Sequence, residues 1–181
     1  MGFHEELAEL TPAGDFLFSL VMVDRLLAVA RQEGVETLEV PTRILDELWE
    51  MAQGGHLPSP EAAERARLLS ESDAPDLDSP SRWRFELDLF DALDALLGSL
   101  TRSSERAGLR VSRQCRNVPW ANARSRLPRS TIEAVESSPE VQRELDVQAE
   151  LVGRLRDLPR DLGDAATAAR CWVDQNPLTP A

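Results

Sequence analysis

No lysine and no tyrosine occur among the 181 residues, which excludes a lysine Schiff base, a P-loop lysine and a tyrosine general acid. Histidine is reduced to His4 and His56, too few for a His-rich metal site or a relay of several imidazoles. The only cysteines, Cys115 and Cys171, cannot build the disulfide framework of a secreted domain. No apolar run approaches the ~18 residues of a membrane span. The most apolar early stretch, Phe16 to Ala30, is interrupted by Asp24 and Arg25. No basic-then-apolar leader precedes a small-residue cleavage site, so the expected compartment is the cytoplasm, with no membrane partner. Alternating apolar and polar runs with β-branched enrichment are missing too, and with them any candidate strand.

What remains is helical. Hydrophobic residues at 42% and charged residues at 29% exclude a disordered chain, and this length corresponds to about one domain of ~100 to 200 residues. Helix starts are marked by a hydroxyl followed by proline at Thr11-Pro12, Ser59-Pro60 and Ser138-Pro139, where the hydroxyl accepts from a free amide and proline lacks only a donor that has no partner there. Stops are marked by Gly34, Gly54-Gly55 and Pro159. These signals predict a short turn at Phe3 to Leu10 and helices near 12–33, 42–53, 59–72, 81–104, 106–126, 139–158 and 161–174. Pro119, preceded by Asn117, predicts a kink in the fifth. Ser72 to Pro80 is the one evident loop. The expected architecture is all-α, a single-domain bundle of about seven helices with its core in 12–173 and a frayed tail over 174–181.

The helix from Asp15 to Glu33 is apolar on nearly every side, so it should run through the middle of the bundle. Arg25 then needs a carboxylate from another helix, because a buried charge without a partner costs several kcal/mol. The second helix offers Asp46 and Glu50, one turn apart beside an apolar face of Ile44, Leu45, Leu48, Trp49, Met51 and Ala52. The 81–104 helix carries Phe85, Leu89, Phe90, Leu93, Leu96, Leu97 and Leu100 as its stripe, with Glu86 pointing into it. Asp94 lies at its edge and Asp88 and Asp91 on the wet face. In the 139–158 helix Gln148 sits inside a stripe of Val141, Leu145, Val147, Leu151, Val152, Leu155 and Leu158, and a buried amide there must be hydrogen-bonded across an interface. Glu150 and Arg154 form an ordinary surface pair. Asp24, Arg25, Asp46, Glu50, Asp94 and Gln148 are thus the candidate buried polar cluster.

The ordered set DRLL (Asp24 to Leu27), RILDELWE (Arg43 to Glu50), LDALLGSL (Leu93 to Leu100) and SSPEVQRELDVQAEL (Ser137 to Leu151) resembles the YjaG-like bacterial proteins, a domain family of unknown function. The resemblance covers most of residues 12 to 158 and implies a compact all-α fold with no assigned activity. The family's acidic-Arg pair falls on Asp24 and Arg25, its acidic and tryptophan positions on Asp46, Trp49 and Glu50, its helix-four acid on Asp94, and its D-x-Q-x-E on Asp146, Gln148 and Glu150. Leu145 and Ala149 stand where that last motif carries tryptophans.

Charge is unevenly distributed. The net charge is −12, yet residues 101 to 130 hold eight arginines, Arg102, Arg106, Arg110, Arg113, Arg116, Arg124, Arg126 and Arg129, against one acid. With Trp120 beside them they could grip phosphates, but a net-acidic molecule repels nucleic acid, and the acidic helices supply partners inside the molecule or on a second copy. Nucleic acid is therefore not the expected partner. Cys115 lies between Arg113 and Arg116, which would depress its pKa, but it has no nearby His to make it a nucleophile. Cys171 beside Trp172 reads as packing.

No catalytic set emerges, and no cofactor is expected. The leading expectation is a non-enzymatic helical module that binds another protein or itself, possible as a homodimer. The alternative is a metal-assisted phosphohydrolase, with Asp46, Glu50 and Asp94 holding Mg²⁺ or Mn²⁺. Glu47-x-x-Glu50 superficially resembles the all-α nucleotide pyrophosphatases, but their second E-x-x-D half is missing. No Glu-x-x-His occurs for a di-iron site. A further alternative is an acidic inhibitor of a basic protein.

Overall fold

The computed structural model describes residues 2–35, 38–74, 84–102, 106–156 and 161–178. Among them every regular element is a helix: α1 (Phe3–Ala8), α2 (Pro12–Gln32), α3 (Glu39–Gln53), α4 (Pro60–Asp73), α5 (Arg84–Thr101), α6 (Gly108–Arg126), α7 (Ile132–Glu136), α8 (Pro139–Arg156) and α9 (Leu162–Gln175). The all-α expectation holds, and the seven longer helices are the seven predicted. Thr11 accepts from the Gly14 amide and Ser59 from the Ala62 amide, each with proline in the first turn, and Asp161 accepts from the Asp164 amide. Gly34 and Gly55 follow α2 and α3 at φ of 75° and 80°, a backbone that a side chain would strain. Most of the Ser72–Pro80 loop, Leu158, Pro159 and the tips of two predicted helices lie outside the described residues.

One boundary differs from expectation. Helix α3 begins at Glu39, ahead of Pro41, because a first-turn amide has no intrahelical partner to lose. Helix α6 runs through Pro119 to Arg126, the end expected for it. Proline removes one backbone bond, while buried Cys115, Val118 and Ala123 pack the turns on both sides. Helix α7 was too short to show periodicity; Thr131 caps it and Val135 buries it.

Helix α2 threads the middle of the molecule, in contact with α3, α5, α6, α8 and α9. Phe18, Leu20, Val21, Met22, Val23 and Leu26 are completely excluded from solvent, each contributing roughly 1.5–3 kcal/mol of burial. The tail does not fray as far as it is described. Leu178 is buried in the main core and the Asn176 carbonyl accepts from Arg25 Nε at 2.8 Å, so residues 176–178 are pinned across α2. No helix among the described residues is long and apolar enough to cross a membrane.

Candidate functional site

The amphipathic helices deliver three separate polar groups where the sequence suggested one. At the centre, Arg25 is 1% exposed and its carboxylate comes from Glu144 of α8, not from α3. The two form a fork, Nη1 to Oε1 at 2.7 Å and Nη2 to Oε2 at 2.9 Å, the geometry in which a guanidinium and a carboxylate bind most strongly. Gln148 Nε2 donates to the same Glu144 Oε1 at 2.8 Å and to the Ser112 carbonyl at 3.3 Å, and Ser112 Oγ donates to Gln148 Oε1 at 2.6 Å. The guanidinium also lies 5.7 Å from the centre of the Trp172 ring, within cation–π range. Every atom of the Gln148 amide is thereby engaged, as its burial demanded.

Asp24 belongs elsewhere. Half-buried between α2 and α3, it accepts from Trp49 Nε1 at 2.9 Å, and Arg170 of α9 stands 3.8 Å from it and 3.8 Å from Asp46. Arg170 also covers the Trp49 ring at 5.0 Å. Burial pushes the Asp24 carboxyl above its ordinary value, with Arg170 and the indole opposing. Asp46 and Glu50 are exposed on α3 and take no part in the buried network. They lie on the outer side of the stripe that buries Leu45 and Trp49, so water already solvates them.

Asp94 forms a third group, half-exposed on α5, with Arg67 of α4 and Arg110 of α6 each at 3.6 Å. Arg67 in turn holds Glu64 and Glu71 of its own helix. The six-residue cluster is therefore corrected: Arg25 and Gln148 meet, while Asp24, Asp46, Glu50 and Asp94 lie in other groups. The same placement removes the carboxylate set of the phosphohydrolase reading, since Asp46 and Glu50 face α9 and solvent while Asp94 faces α4 and α6. Among the described residues, no three His, Cys, Asp or Glu side chains converge on a metal-sized position.

Three smaller expectations are also corrected. Asp88 is buried, accepting from Asn117 Nδ2 at 2.7 Å, because α6 covers that side of α5. Cys115 is buried, its thiol donating to the Met22 carbonyl at 3.3 Å. Burial first, and the Glu144 charge second, push that thiol well above its ordinary value, opposite to what its arginine neighbours in sequence suggested. Cys171 is exposed, and only Trp172 packs. Glu86 is buried in the α5 stripe as expected, and Glu150 and Arg154 pair at the surface.

At least five of the eight arginines in this segment, Arg102 among them, are engaged within the molecule. Arg106 donates to the carbonyls of Ala8 and Leu10, both at 2.7 Å, tying down α1. Arg110 meets Asp91 and Asp94, Arg124 donates to the Ser130 carbonyl, and Arg126 meets Glu140 at 2.9 Å. Arg102 lines the groove between α4 and α5, and Arg129 is exposed after α6. Arg113 and Arg116 are different. They line a groove of about 370 Å³ with Asn117, Trp120, Glu136 and Val141, and neither makes a salt bridge among the described residues. Arg116 Nε is buried there without a hydrogen-bond partner.

The helical fold of this chain matches the crystal structure of a DUF416 family protein from Shewanella baltica OS155. The TM-score is 0.75 over 97% of this chain and 94% of that one, at 17% sequence identity. The chain has the DUF416 fold. That family is the YjaG-like family which the sequence resembles, so the DUF416 match bears out the resemblance in architecture. No family model matches the chain, and a search of curated proteins returns no match. The DUF416 fold carries no assigned activity, so function rests on the residues of this chain.

Proposed function

We propose that the protein is a non-enzymatic interaction module which docks an acidic stretch of another protein in the groove between α6, α7 and α8. The observation that carries this reading is the unoccupied pair Arg113 and Arg116 beside half-buried Trp120. Arginine and tryptophan are the side chains that most often dominate binding energy at protein interfaces. The groove has an apolar floor, where Trp120 packs on the small cluster of Ala123, Val135 and Val141. Leu127 and Ile132, 40% and 61% exposed, add apolar surface at the turn joining α6 to α7. An acidic segment with an apolar residue would satisfy both guanidiniums and cover that surface.

A separate protein is favoured over a second copy, because two molecules of net charge −12 repel each other at long range. The test is capture from cell extract at low and high salt, with light scattering of the isolated protein. Wild type should be monomeric and should retain a partner that salt releases and that the double variant Arg113→Glu, Arg116→Glu loses. Retention of the same partner by the double variant refutes the reading. The acidic-inhibitor alternative draws on the open groove along α3, lined by Glu39, Asp46, Glu47 and Glu50. It predicts the reverse: a basic partner lost on Asp46→Lys and kept by the arginine variant.

A further inference from the structure

A second concavity lies on the other side of α6, where the C-terminal residues cross the bundle. Its volume is about 280 Å³. The Arg25–Glu144 fork lines it. So do Arg126, Arg143 and Glu140, with the side-chain amides of Asn122 and Gln175, while Pro119, Val147, Pro177 and Leu178 supply an apolar wall. The cleft exists because Asn176 is anchored to Arg25 and Leu178 is buried, holding residues 175–178 as its rim.

The charges around the cleft do not cancel. Glu144 is taken up by Arg25 and Gln148, and Glu140 by Arg126 at 2.9 Å. Arg143, exposed on α8, makes no salt bridge or hydrogen bond among the described residues. Three guanidiniums against two carboxylates, both already engaged, leave one positive charge at the mouth of a cleft whose opposite wall is apolar. We infer that this cleft binds a small organic anion, with a carboxylate or phosphate head on Arg143 and the neighbouring amides and a compact apolar body against Pro119, Val147 and Leu178. Arg25 positions this site without supplying its affinity, since its fork keeps Glu144 neutralised and its Nε holds the rim in place.

Calorimetric titration of the full chain with phenyl phosphate, and in parallel with benzoate, tests the inference. Saturation by at least one of them at a single site is expected, the better ligand naming the head group, while uncharged benzyl alcohol should give no saturable heat. Arg143→Gln should weaken binding by about tenfold or more, the worth of one charge-assisted hydrogen bond, and Arg65→Gln, an exposed arginine of α4, should leave it unchanged. Because Arg143 is exposed, its variant should melt with wild type, which separates lost binding from lost fold. No saturable heat from either anion up to about 10 mM, where even weak millimolar binding is visible, overturns the inference. Equal affinity of Arg143→Gln and wild type does so too.

Discussion

The Arg25–Glu144 fork makes a quantitative demand on stability. In Glu144→Gln the volume is preserved, but an amide donor replaces one of the two oxygens that receive the guanidinium. Donor then faces donor, and a fully buried positive charge loses its counter-charge. Breaking a buried pair by removing one partner costs about 3–5 kcal/mol. Arg25→Ala should fall in the same range, because it leaves Glu144 uncompensated and removes the guanidinium that lies over Trp172. Arg25→Met should be tolerated better than Arg25→Ala, since it refills the volume. For a chain of this size each kcal/mol moves the thermal midpoint by about 2–4 °C, so a single variant should lose roughly 6–20 °C.

The double variant Arg25→Met, Glu144→Leu decides the reasoning. It removes both charges together, and replacing a buried ion pair with apolar side chains is typically neutral or stabilising, by about 1–4 kcal/mol. Gln148 keeps the Ser112 carbonyl and hydroxyl as partners, and the Asn176 carbonyl lies at a cleft that water reaches. The two singles of this cycle, Arg25→Met and Glu144→Leu, should therefore be far from additive, with a coupling energy that approaches or exceeds the sum of their two losses. Urea unfolding of wild type, both singles and the double closes the cycle, with unchanged slopes required for the comparison. A Glu144→Gln midpoint equal to that of wild type, or a double variant whose loss is the sum of the singles, refutes a buried, mutually dependent pair.

Thiol labelling reads the two cysteines separately. The native protein should expose one reactive thiol, Cys171, and unfolding in urea should release a second, because Cys115 is buried with its thiol held protonated; prompt labelling of both in the native state contradicts that burial. Asp15 gives a pH dependence. Burial raises its carboxyl above the ordinary 3.8, against the opposing pull of the Ala107 and Gly108 amides and Arg106. The folded state then binds more protons than the unfolded one just above pH 3.8, so this group's contribution falls as pH rises through that window and stays constant above it. Urea midpoints of wild type minus those of Asp15→Asn, followed from pH 3.5 to 7, should decline over the lower part of the range; a flat or rising difference contradicts the shift.

That Arg25 must find an acid on a distant helix was legible from α2 alone, because a helix apolar on nearly all sides leaves a guanidinium no route to water. Which acid it finds was not. Asp46 and Glu50 were attractive because they border an apolar face, but bordering a face places a carboxylate at its rim, and both ended in solvent. The signal for Glu144 was present in its own helix. Val141, Glu144, Gln148, Leu151, Val152 and Leu155 are the buried positions of α8, spaced by three and four, while Leu145 and Val147 are only half-buried. The stripe's centre lay one position away from where the leucines alone placed it. Gln148, buried inside the stripe, needs a partner, and Glu144 one turn earlier lies on the same line of the helix. Cys115 shows the same limit from the other side. Its neighbours in sequence are arginines, but on a helix residues two before and one after point to other faces, and the charges that reach the thiol come from Glu144, Arg25 and Asp88 in the folded molecule, with Arg25 opposing the two acids. Periodicity within one helix thus reveals which side chains must be answered, whereas the answer depends on how helices are paired. Here that pairing joins α2 to α8 and closes the polar centre on itself, so the proposed docking and anion sites rest on Arg113 and Arg116 of α6 and Arg143 of α8 rather than on the buried fork.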